Sequence, residues 1–377
     1  MRCHTLRTID EFFAHESDWR RAESAGHVPD VFVTFDWLAT YWRIFGSSKS
    51  LAIVTASGDS LLTACAPLMV TSPAPGVRRL EFIGAGIHDF SDFIGSGGDD
   101  SARLLWDHIL GGNGWDALRL QQLKGDSPAL RQAPATGVSG IDRHALRSAQ
   151  QLGEACPVLT LPPSWDEYYD GLGRNLRYDL RRYARKVAND FRKVHYQLVR
   201  TSEELNEAFA ALVRLHGERW RRRGLPGVLA SPRRQRFQLE LAQTLLRRDR
   251  LRMFVLRLDD APTAVLLNYW FGGRYYFYVG GFDVNRERYR PGTLLFAQAI
   301  RQAIEEGATE FDFLRGQEEY KYRFGAVDRP HYHLAVTRNT LRSRAATAHA
   351  HLEAKIMARA RRFAEGRYRK SEIRSSA

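Results

Sequence analysis

An unbroken order of elements between residues 252 and 314 constrains the fold more than any other feature. Three strand-like runs come first, at 252–258, 263–271 and 274–279, separated only by Asp259-Asp260 and Gly272-Gly273. Two-residue connections of this kind predict hairpins, so the runs predict an antiparallel meander. A loop at 280–291, a helix at 293–306 and a strand at 310–314 follow. This order differs from a dinucleotide-binding βαβ repeat, and no GxGxxG follows any of the strands.

The start of the helix predicted at 293–306 has the character of an anion site. Pro291, Gly292 and Thr293 stand where the loop meets the helix, with Arg288 and Arg290 just before them. Proline presets the backbone of a first helical turn, and glycine permits a ligand to approach closely. The free N–H groups and the positive end of the helix dipole favour a phosphate. The alternative is an ordinary Pro-Gly turn at a helix start.

The chain divides into two α/β blocks and a basic tail. A segment with three prolines and a glycine, GEACPVLTLPPS at 153–164, predicts the boundary between the blocks. The first block has a helix pattern at 35–45 and strand patterns at 51–56, 61–70, 79–83 and 117–123; the second adds helices at 174–193, 202–222 and 232–247 and a last strand at 333–337. We therefore predict domains at 1–160 and 161–337 and a tail at 338–377.

Positive charge is concentrated in two segments. The formal net charge is +13, and residues 338–374 contribute +8 of it, from eleven Lys/Arg and three Glu. Apolar residues recur in this tail at helical spacing, which is typical of a helix packed on a domain, or of one that binds an anionic membrane or nucleotide. The run at 174–193 holds eight Lys/Arg and two Asp. It is either a solvated helix face or a wall that attracts a polyphosphate.

Several classes of function are excluded by missing motifs. The chain has no GxxxxGK[ST], HExxH or GxSxG, and its three cysteines are far apart without a CxxC pair. His331 and His333 share one side of a strand but have no third ligand nearby, so we expect no metal. No apolar run reaches the length of a membrane span, and the first residues lack the apolar core of a signal peptide. We expect a soluble, cytoplasmic protein.

Four sequence segments carry a family resemblance. They are RYDLRRYARK, LHGERWRRRGLPG, YRPGTLLFAQAI and DFLRGQEEYKYRFGA, all between residues 177 and 326. Together with the order of elements, they resemble the BioF2-like, or CelD/BcsL, acetyltransferases of the GNAT type, which are similar to FemAB peptidyltransferases. The resemblance implies an α/β fold of mixed sheets with tandem GNAT-like domains, the first of them degenerate, followed here by the basic helical tail.

The resemblance also implies a reaction. Such enzymes move an acetyl or acyl group from acetyl-coenzyme A, or another acyl-coenzyme A, to an amine. The implied acceptor is an amino sugar of an exopolysaccharide or cell-envelope precursor, as in holdfast-type polysaccharides. The phosphate loop of the family reads [RQ]xxGx[GA], whereas this chain has Tyr289 at the first position and Leu294 at the last. A different donor is therefore an open alternative.

Direct acyl transfer needs a base, an acid for the leaving thiolate, and groups that hold both substrates. We expect Glu318 as the base, or Asp312 acting through a water, and Tyr320 as the acid. The remaining expectations are Arg288, Arg290, Gly292 and Thr293 for the coenzyme, and Trp220, Lys321, Arg323, Asp89 and Asp92 for the acceptor. Each has a structural alternative: Asp312 paired with Arg315, Glu318 solvated, Tyr320 packed, His216 next to Trp220 simply buried, and the His88–Asp92 loop a capped turn.

Two further functions stay open. One keeps the fold but takes an aminoacyl-tRNA donor, as the FemAB resemblance implies, although no aromatic cluster interleaves with the basic run and we expect no nucleic-acid partner. The other is a non-catalytic protein that binds a nucleotide or membrane through residues 338–374. A combined hypothesis has this tail holding the enzyme peripherally at the anionic inner membrane.

Overall fold

A computed structural model describes residues 2–58, 61–134 and 146–338, with Thr340 and Arg342. The described chain forms two compact units, one of residues 2–155 with residues 329–338, the other of residues 156–328. No helix within these ranges is long and apolar enough to span a bilayer. The basic tail, with the hypotheses that depend on it, lies almost entirely outside them.

The first unit begins with short helices and continues into strands. Its helices are α1 Ile9–Ala14, α2 Glu16–Ser24, α3 Phe35–Phe45, α4 Gly98–Gly111 and α5 Pro128–Arg131. Its strands up to residue 152 are β1 Arg2–Leu6, β2 Ser50–Leu51, β3 Ile53–Gly58, β4 Leu61–Ala66, β5 Leu68–Thr71, β6 Arg79–Phe82, β7 Ile94–Gly95, β8 Ala117–Lys124 and β9 Leu146–Leu152.

The second unit contains the predicted meander and the long helices. Its strands are β10 Cys156–Thr160, β11 Val194–Leu198, β12 Leu251–Leu258, β13 Ala261–Phe271, β14 Arg274–Phe282, β15 Glu310–Asp312 and β16 Val327–Arg329. Its helices are α6 Trp165–Gly171, α7 Arg174–Asp190, α8 Ser202–Arg222, α9 Pro232–Arg247, α10 Pro291–Glu305 and α11 Glu319–Arg323, with a 3₁₀ segment at Val284–Tyr289. The last strand of the chain, β17 His331–Arg338, belongs to the first unit.

Each unit contains a mixed sheet, with a parallel pair at β6–β8 in the first unit and at β14–β15 in the second, which confirms the predicted α/β fold class. The first unit has a four-stranded sheet in the order β1-β3-β4-β7 and a six-stranded sheet in the order β2-β5-β6-β8-β17-β9. The second has one sheet in the order β11-β12-β13-β14-β15-β10-β16. Strands β12, β13 and β14 form the antiparallel meander that the two-residue turns predicted.

One predicted placement is wrong, and one segment holds more structure than predicted. The two units divide between residues 155 and 156, inside the boundary predicted at 153–164, but this segment also contains β10, which pairs antiparallel with β15 through Val158 and Asp312. The strand expected at 333–337 was grouped with the second domain, but as β17 it pairs with β8 and β9 of the first unit. Both strands find partners far away along the chain, and a local pattern of prolines or apolar residues does not report such pairing.

Strands β14 and β15 stop pairing beside the start of α10. They pair in parallel at only three positions, from Arg274 with Glu310 to Tyr276 with Asp312. Beyond Tyr276, β14 continues to Phe282 while β15 has already ended. Gly281 on this extension lets α8 come close, since a Cβ there would lie 2.6 Å from the backbone nitrogen of His216. The opening therefore lies between the end of β14, α8 and α10.

Candidate active site

The start of α10 has unsatisfied backbone donors. Pro291 is its first residue, and Arg290 before it adopts the left-handed conformation with φ 49° and ψ 49°. No side chain caps this end, and the first turn holds no acidic residue. A Cβ at Gly292 would have Phe282 Cδ1 at 3.5 Å as its nearest neighbour, which is an ordinary contact. The N–H groups of Gly292 and Thr293 therefore remain available to an anion in an accessible position.

A cavity of about 200 Å³ lies next to this helix start. Pockets that enclose a drug-sized ligand measure roughly 300–1,000 Å³, so this one suits the reacting ends of two substrates rather than a whole coenzyme. The end of β14 and four aromatic or aliphatic side chains form its apolar wall. The lining residues are Arg219, Arg223, Leu266, Phe277, Gly280, Gly281, Phe282, Glu287, Arg290, Pro291, Gly292, Thr293, Phe296 and Tyr320.

Three arginines give this cavity a positive character. Arg219 and Arg223 come from α8 and the residue just after it, and Arg290 comes from the start of α10. Of the described residues that line the cavity, Glu287 is the acidic one, and its carboxylate is 3.9 Å from the Arg290 guanidinium. We did not predict Arg219 or Arg223, although LHGERWRRRGLPG contains both. Helical spacing from His216 could have indicated that Arg219 shares its face.

Arg219 is a largely buried cation. Its guanidinium lies 4.8 Å above the ring of Phe282, and its Nε has no hydrogen-bond partner within the described ranges. Burial, followed by the nearby charge of Arg223, lowers the pKa of Arg219. The weaker effects of Tyr320, Glu318 and Glu287 on this pKa act in the opposite direction. A buried charge without a partner is unfavourable, so this side chain is prepared for an anionic ligand.

Tyr320 is the predicted acid that the structure places in the cavity. Its ring contacts Phe296 of α10 with a centroid distance of 5.2 Å. Burial, followed by the charge of Glu318, raises the pKa of Tyr320 well above 10, and Arg219 acts in the opposite direction. The phenol therefore stays protonated and can donate a hydrogen bond. Full proton transfer from so weak an acid to a thiolate is uphill, so its chemical role is to donate to developing charge.

The two predicted bases lie outside the cavity lining. Asp312 is 1% exposed, and its Oδ1 accepts a hydrogen bond of 2.8 Å from the backbone N–H of Leu314, where the chain leaves β15 with φ 55°. Glu318 precedes α11 with its side chain 54% exposed and is 2.9 Å from the ammonium of Lys321. Of the two, Glu318 is the one that acts electrostatically on Tyr320.

Lys321 has a structural position rather than the substrate-binding one we expected. It is 2% exposed, and its ammonium donates hydrogen bonds to the carbonyls of Leu314, Arg315 and Gly316 at 3.3, 2.9 and 2.8 Å. With Glu318, it has four partners within the protein. Its donors are therefore already used to hold the turn that follows β15.

Three other predicted residues do not line this cavity. Arg288 is exposed and donates a hydrogen bond of 2.7 Å to the hydroxyl of Tyr289. Arg323 is 2.5 Å from the carboxylate of Asp179 on α7. The Trp220 ring packs on His216 at 5.8 Å. Of the residues predicted to bind coenzyme, Arg290, Gly292 and Thr293 line the cavity and Arg288 does not.

His216 is buried, as its structural alternative proposed. Its Nδ1 is 3.1 Å from the carbonyl oxygen of Gly280. Because a carbonyl can only accept, Nδ1 carries the proton and Nε2 holds the lone pair. Burial lowers the pKa of His216, so the imidazole is neutral. In the described structure, His216 Nε2 and Trp220 Nε1 are buried without hydrogen-bond partners.

The predicted acidic pair of the first unit is part of a folded loop. Asp92 is 4% exposed and accepts hydrogen bonds of 2.7 Å from both Ser127 Oγ and the backbone N–H of Phe93. Burial raises the pKa of Asp92 to about 7. Asp89 is half-buried in the same loop. These contacts fit the capped turn that we gave as the alternative. Across the described ranges, no three His, Cys, Asp or Glu side chains cluster as a metal site would require.

Comparison with known families identifies the segment that contains this cavity. Residues 174–322 match a family model described as an acetyltransferase (GNAT) domain. The GNAT resemblance of the second block is thereby confirmed. The narrower BioF2-like or CelD/BcsL assignment stays a prediction. A search of curated proteins returns no match.

Solved structures resemble the chain over most of its length. The structure of FemX has a TM-score of 0.60 at 12% identity, covering 90% of this chain and 98% of FemX. L-PGS from Bacillus licheniformis has a TM-score of 0.52 at 13% identity, covering 88% of this chain and 93% of that one. At these identities the likeness concerns the fold, which extends over both units.

Proposed function

We propose that the GNAT domain transfers an acyl group from acyl-coenzyme A to an amine at the cavity between α8, β14 and α10. The observation that carries this proposal is the uncapped, acid-free start of α10, which opens into a cavity with arginines on one side and Tyr320 on another. Phosphates of the donor bind the N–H groups of Gly292 and Thr293 with help from Arg290. As the sequence resemblance implies, acetyl is the group moved.

Each step of the transfer has a candidate group. The amine nitrogen attacks the thioester carbon, the C–S bond breaks, and the sulfur leaves as a thiolate. Tyr320 donates a hydrogen bond to the negative charge that develops. Because Glu318 lies outside the cavity lining, it takes the proton that the amine loses through a water. The apolar wall excludes water, which strengthens these interactions and limits hydrolysis of the thioester.

An amino sugar of an envelope or exopolysaccharide precursor is the acceptor that we propose. It rests on the family resemblance. The positive charge of the tail at residues 338–374 would keep the enzyme near membrane-linked precursors. Flotation with acidic liposomes at low salt tests this role. We expect the full chain to float and a chain ending at Thr340 to stay in solution, and equal partitioning of the two would contradict it. Ending at Thr340 retains Arg338, which stacks on Trp115 at 4.4 Å.

The donor is tested by calorimetric titration with acetyl-coenzyme A. Gly292→Glu places a carboxylate where phosphate should bind, and Gly292→Gln is the uncharged control of equal size. A Cβ at Gly292 would make only an ordinary contact with Phe282, and an acidic residue in a first helical turn favours the helix. We therefore expect both variants to fold, the Glu variant to lose binding and the Gln variant to keep most of it. Equal binding by wild type and the Glu variant would contradict the assignment.

An aminoacyl-tRNA donor is the second candidate. The observation that favours it is the outer face of α7, where Arg174, Arg181, Arg182 and Arg185 are exposed around Tyr178, itself 59% exposed. The two acids of this helix turn toward the protein, since Asp179 pairs with Arg323 and Asp190 accepts from Tyr289. Such a face suits a nucleic-acid backbone and one stacked base. Three results together would favour this candidate: the protein binds aminoacyl-tRNA, Tyr178→Ala weakens that binding, and acetyl-coenzyme A does not bind.

A further inference from the structure

Arg219 is a charge that the proposed donor site leaves unused. It lines the cavity from α8, on a different element from the α10 start that binds phosphate in the proposed function. In the part of the chain that the structure describes, its guanidinium has no ion-pair partner and its Nε no hydrogen bond. Largely buried charges are normally paired in folded proteins. The unpaired cation therefore indicates an anionic group in the working complex.

The position of Arg219 indicates which substrate brings that group. Arg219 acts electrostatically on Tyr320, the residue that meets the reacting thioester in our proposal. In an acyl-coenzyme A the phosphates are separated from the thioester by the long pantetheine arm. They reach the start of α10 in the proposed function, and Arg290 is already beside them. An anion next to Arg219 and Tyr320 is therefore a part of the acceptor.

We infer that the amine acceptor carries an anionic group, a phosphate or a carboxylate close to its amine, and that Arg219 binds this group. The inference rests on the proposed function and narrows its acceptor from any amino sugar to an acidic amine. It also corrects an expectation, because Lys321 and Arg323, the residues predicted to hold a sugar-linked phosphate, are engaged within the protein. The Arg219 guanidinium is stacked on Phe282 at 4.8 Å, and a stacked guanidinium can still donate hydrogen bonds in its own plane to a carboxylate or phosphate.

A panel of matched amines tests this inference by calorimetry in the presence of saturating coenzyme A. Glucosamine 6-phosphate and phosphoethanolamine carry a phosphate, β-alanine carries a carboxylate, and glucosamine and ethanolamine carry neither. We expect at least one acidic amine to bind tenfold or more tightly than its neutral counterpart. Arg219→Gln should remove that preference, and Arg219→Lys should retain part of it, because lysine keeps the charge but not the forked geometry. Comparison of the two phosphorylated amines with β-alanine shows whether the bound anionic group is a phosphate or a carboxylate.

Two controls separate this result from folding and from the donor. Arg214→Gln changes another arginine of α8 that is 51% exposed and does not line the cavity, and it should leave every affinity unchanged. Since Arg219 makes no ion pair in the described structure, Arg219→Gln should lose only the stacking on Phe282 and change the melting temperature little. A large decrease would indicate a structural arginine. Binding of acetyl-coenzyme A should be unchanged in Arg219→Gln and lost only in Gly292→Glu.

Three outcomes would overturn the inference. The first is the absence of any preference for acidic amines across the panel. The second is a preference that survives in Arg219→Gln, and the third is loss of acetyl-coenzyme A binding in that variant, which would assign Arg219 to the donor. Failure of the proposed function looks different. Acetyl-coenzyme A would then not bind the wild type, while titrations without coenzyme A would still show an acidic-amine preference that depends on Arg219.

Discussion

Replacing Lys321 by methionine tests whether this residue supports the fold or binds a substrate. Methionine keeps the apolar stem of the buried side chain but removes the ammonium. The carbonyls of Leu314, Arg315 and Gly316 would each lose a charged donor. The backbone there is already constrained, with φ 55° at Leu314 and 107° at Gly316. We therefore expect the turn after β15 to lose its main support.

The magnitude follows from what is left unpaired. A buried acceptor deprived of its partner costs about 1–3 kcal/mol, and such costs are not additive within one network. The ion pair with Glu318 adds little, because that carboxylate is 54% exposed and screened by solvent. Removing one member of a buried charged network typically costs about 3–5 kcal/mol. We expect Lys321→Met to lower the free energy of unfolding of the second unit by about that amount.

Urea unfolding followed by circular dichroism measures this effect. Since the free energy of unfolding falls by about 1–3 kcal/mol per molar urea, the midpoint of the transition that includes the second unit should move down by about 1 M or more. Lys193→Met is the matched control, since Lys193 is 69% exposed and pairs with Asp260 at 3.1 Å on the surface. Its expected change is within about 1 kcal/mol. Equal stability of both variants, with acceptor binding lost only in Lys321→Met, would refute the structural role.

Three further perturbations have defined outcomes. Tyr320→Phe should lower kcat about 10- to 100-fold without changing the affinity for acetyl-coenzyme A. Because the pKa of Tyr320 is raised, the wild-type enzyme should keep this proton, and therefore its activity, at every pH up to about 10. Profiles of rate against pH for both proteins check these expectations. The pKa of Asp92 is about 7 in the folded protein, above its unfolded value, so its contribution to stability is present at acidic pH and is lost as the pH rises through 7. Asp92→Asn can still accept the hydrogen bonds from Ser127 and Phe93, and it should remove this pH dependence from melting temperatures measured between pH 4 and 8. Gly281→Ala should destabilise the second unit by about 1–3 kcal/mol, because its Cβ would lie 2.6 Å from the backbone of His216, and an unchanged melting temperature would show that α8 can move away.

Much of the second unit could be predicted because its signals are local. The turns Asp259-Asp260 and Gly272-Gly273 connect the strands of the meander, as the sequence indicated. Helix α8 begins and ends at the predicted residues, and Thr201 and Glu204 form a capping box at its start. Prediction failed where partners are distant. The sequence does not indicate strands β11 and β10, since each is stabilised by a strand outside its own segment.

The candidate site was predicted only in part for the same reason. Gly292 and Thr293 were found because Pro-Gly at a helix start is a local signal. Arg219 was missed because nothing in its neighbourhood along the chain says that its charge would be buried without a partner. For Lys321, expected to bind the acceptor, the sequence shows the positive charge but not the groups that neutralise it. Its three carbonyl partners exist only once the turn has folded.

The sequence by itself determined the GNAT-like order of elements, the start of α10 at Pro291 and the α/β class. These depend on turns, helix starts and periodicity, which act over a few residues. Tertiary structure alone decided which charged side chains face the cavity and which are neutralised. Burial and long-range pairing fix the free energy of a charge, and both depend on what lies across the fold from it. Arg219 without a partner and Lys321 with four are therefore distinguished only in the folded chain.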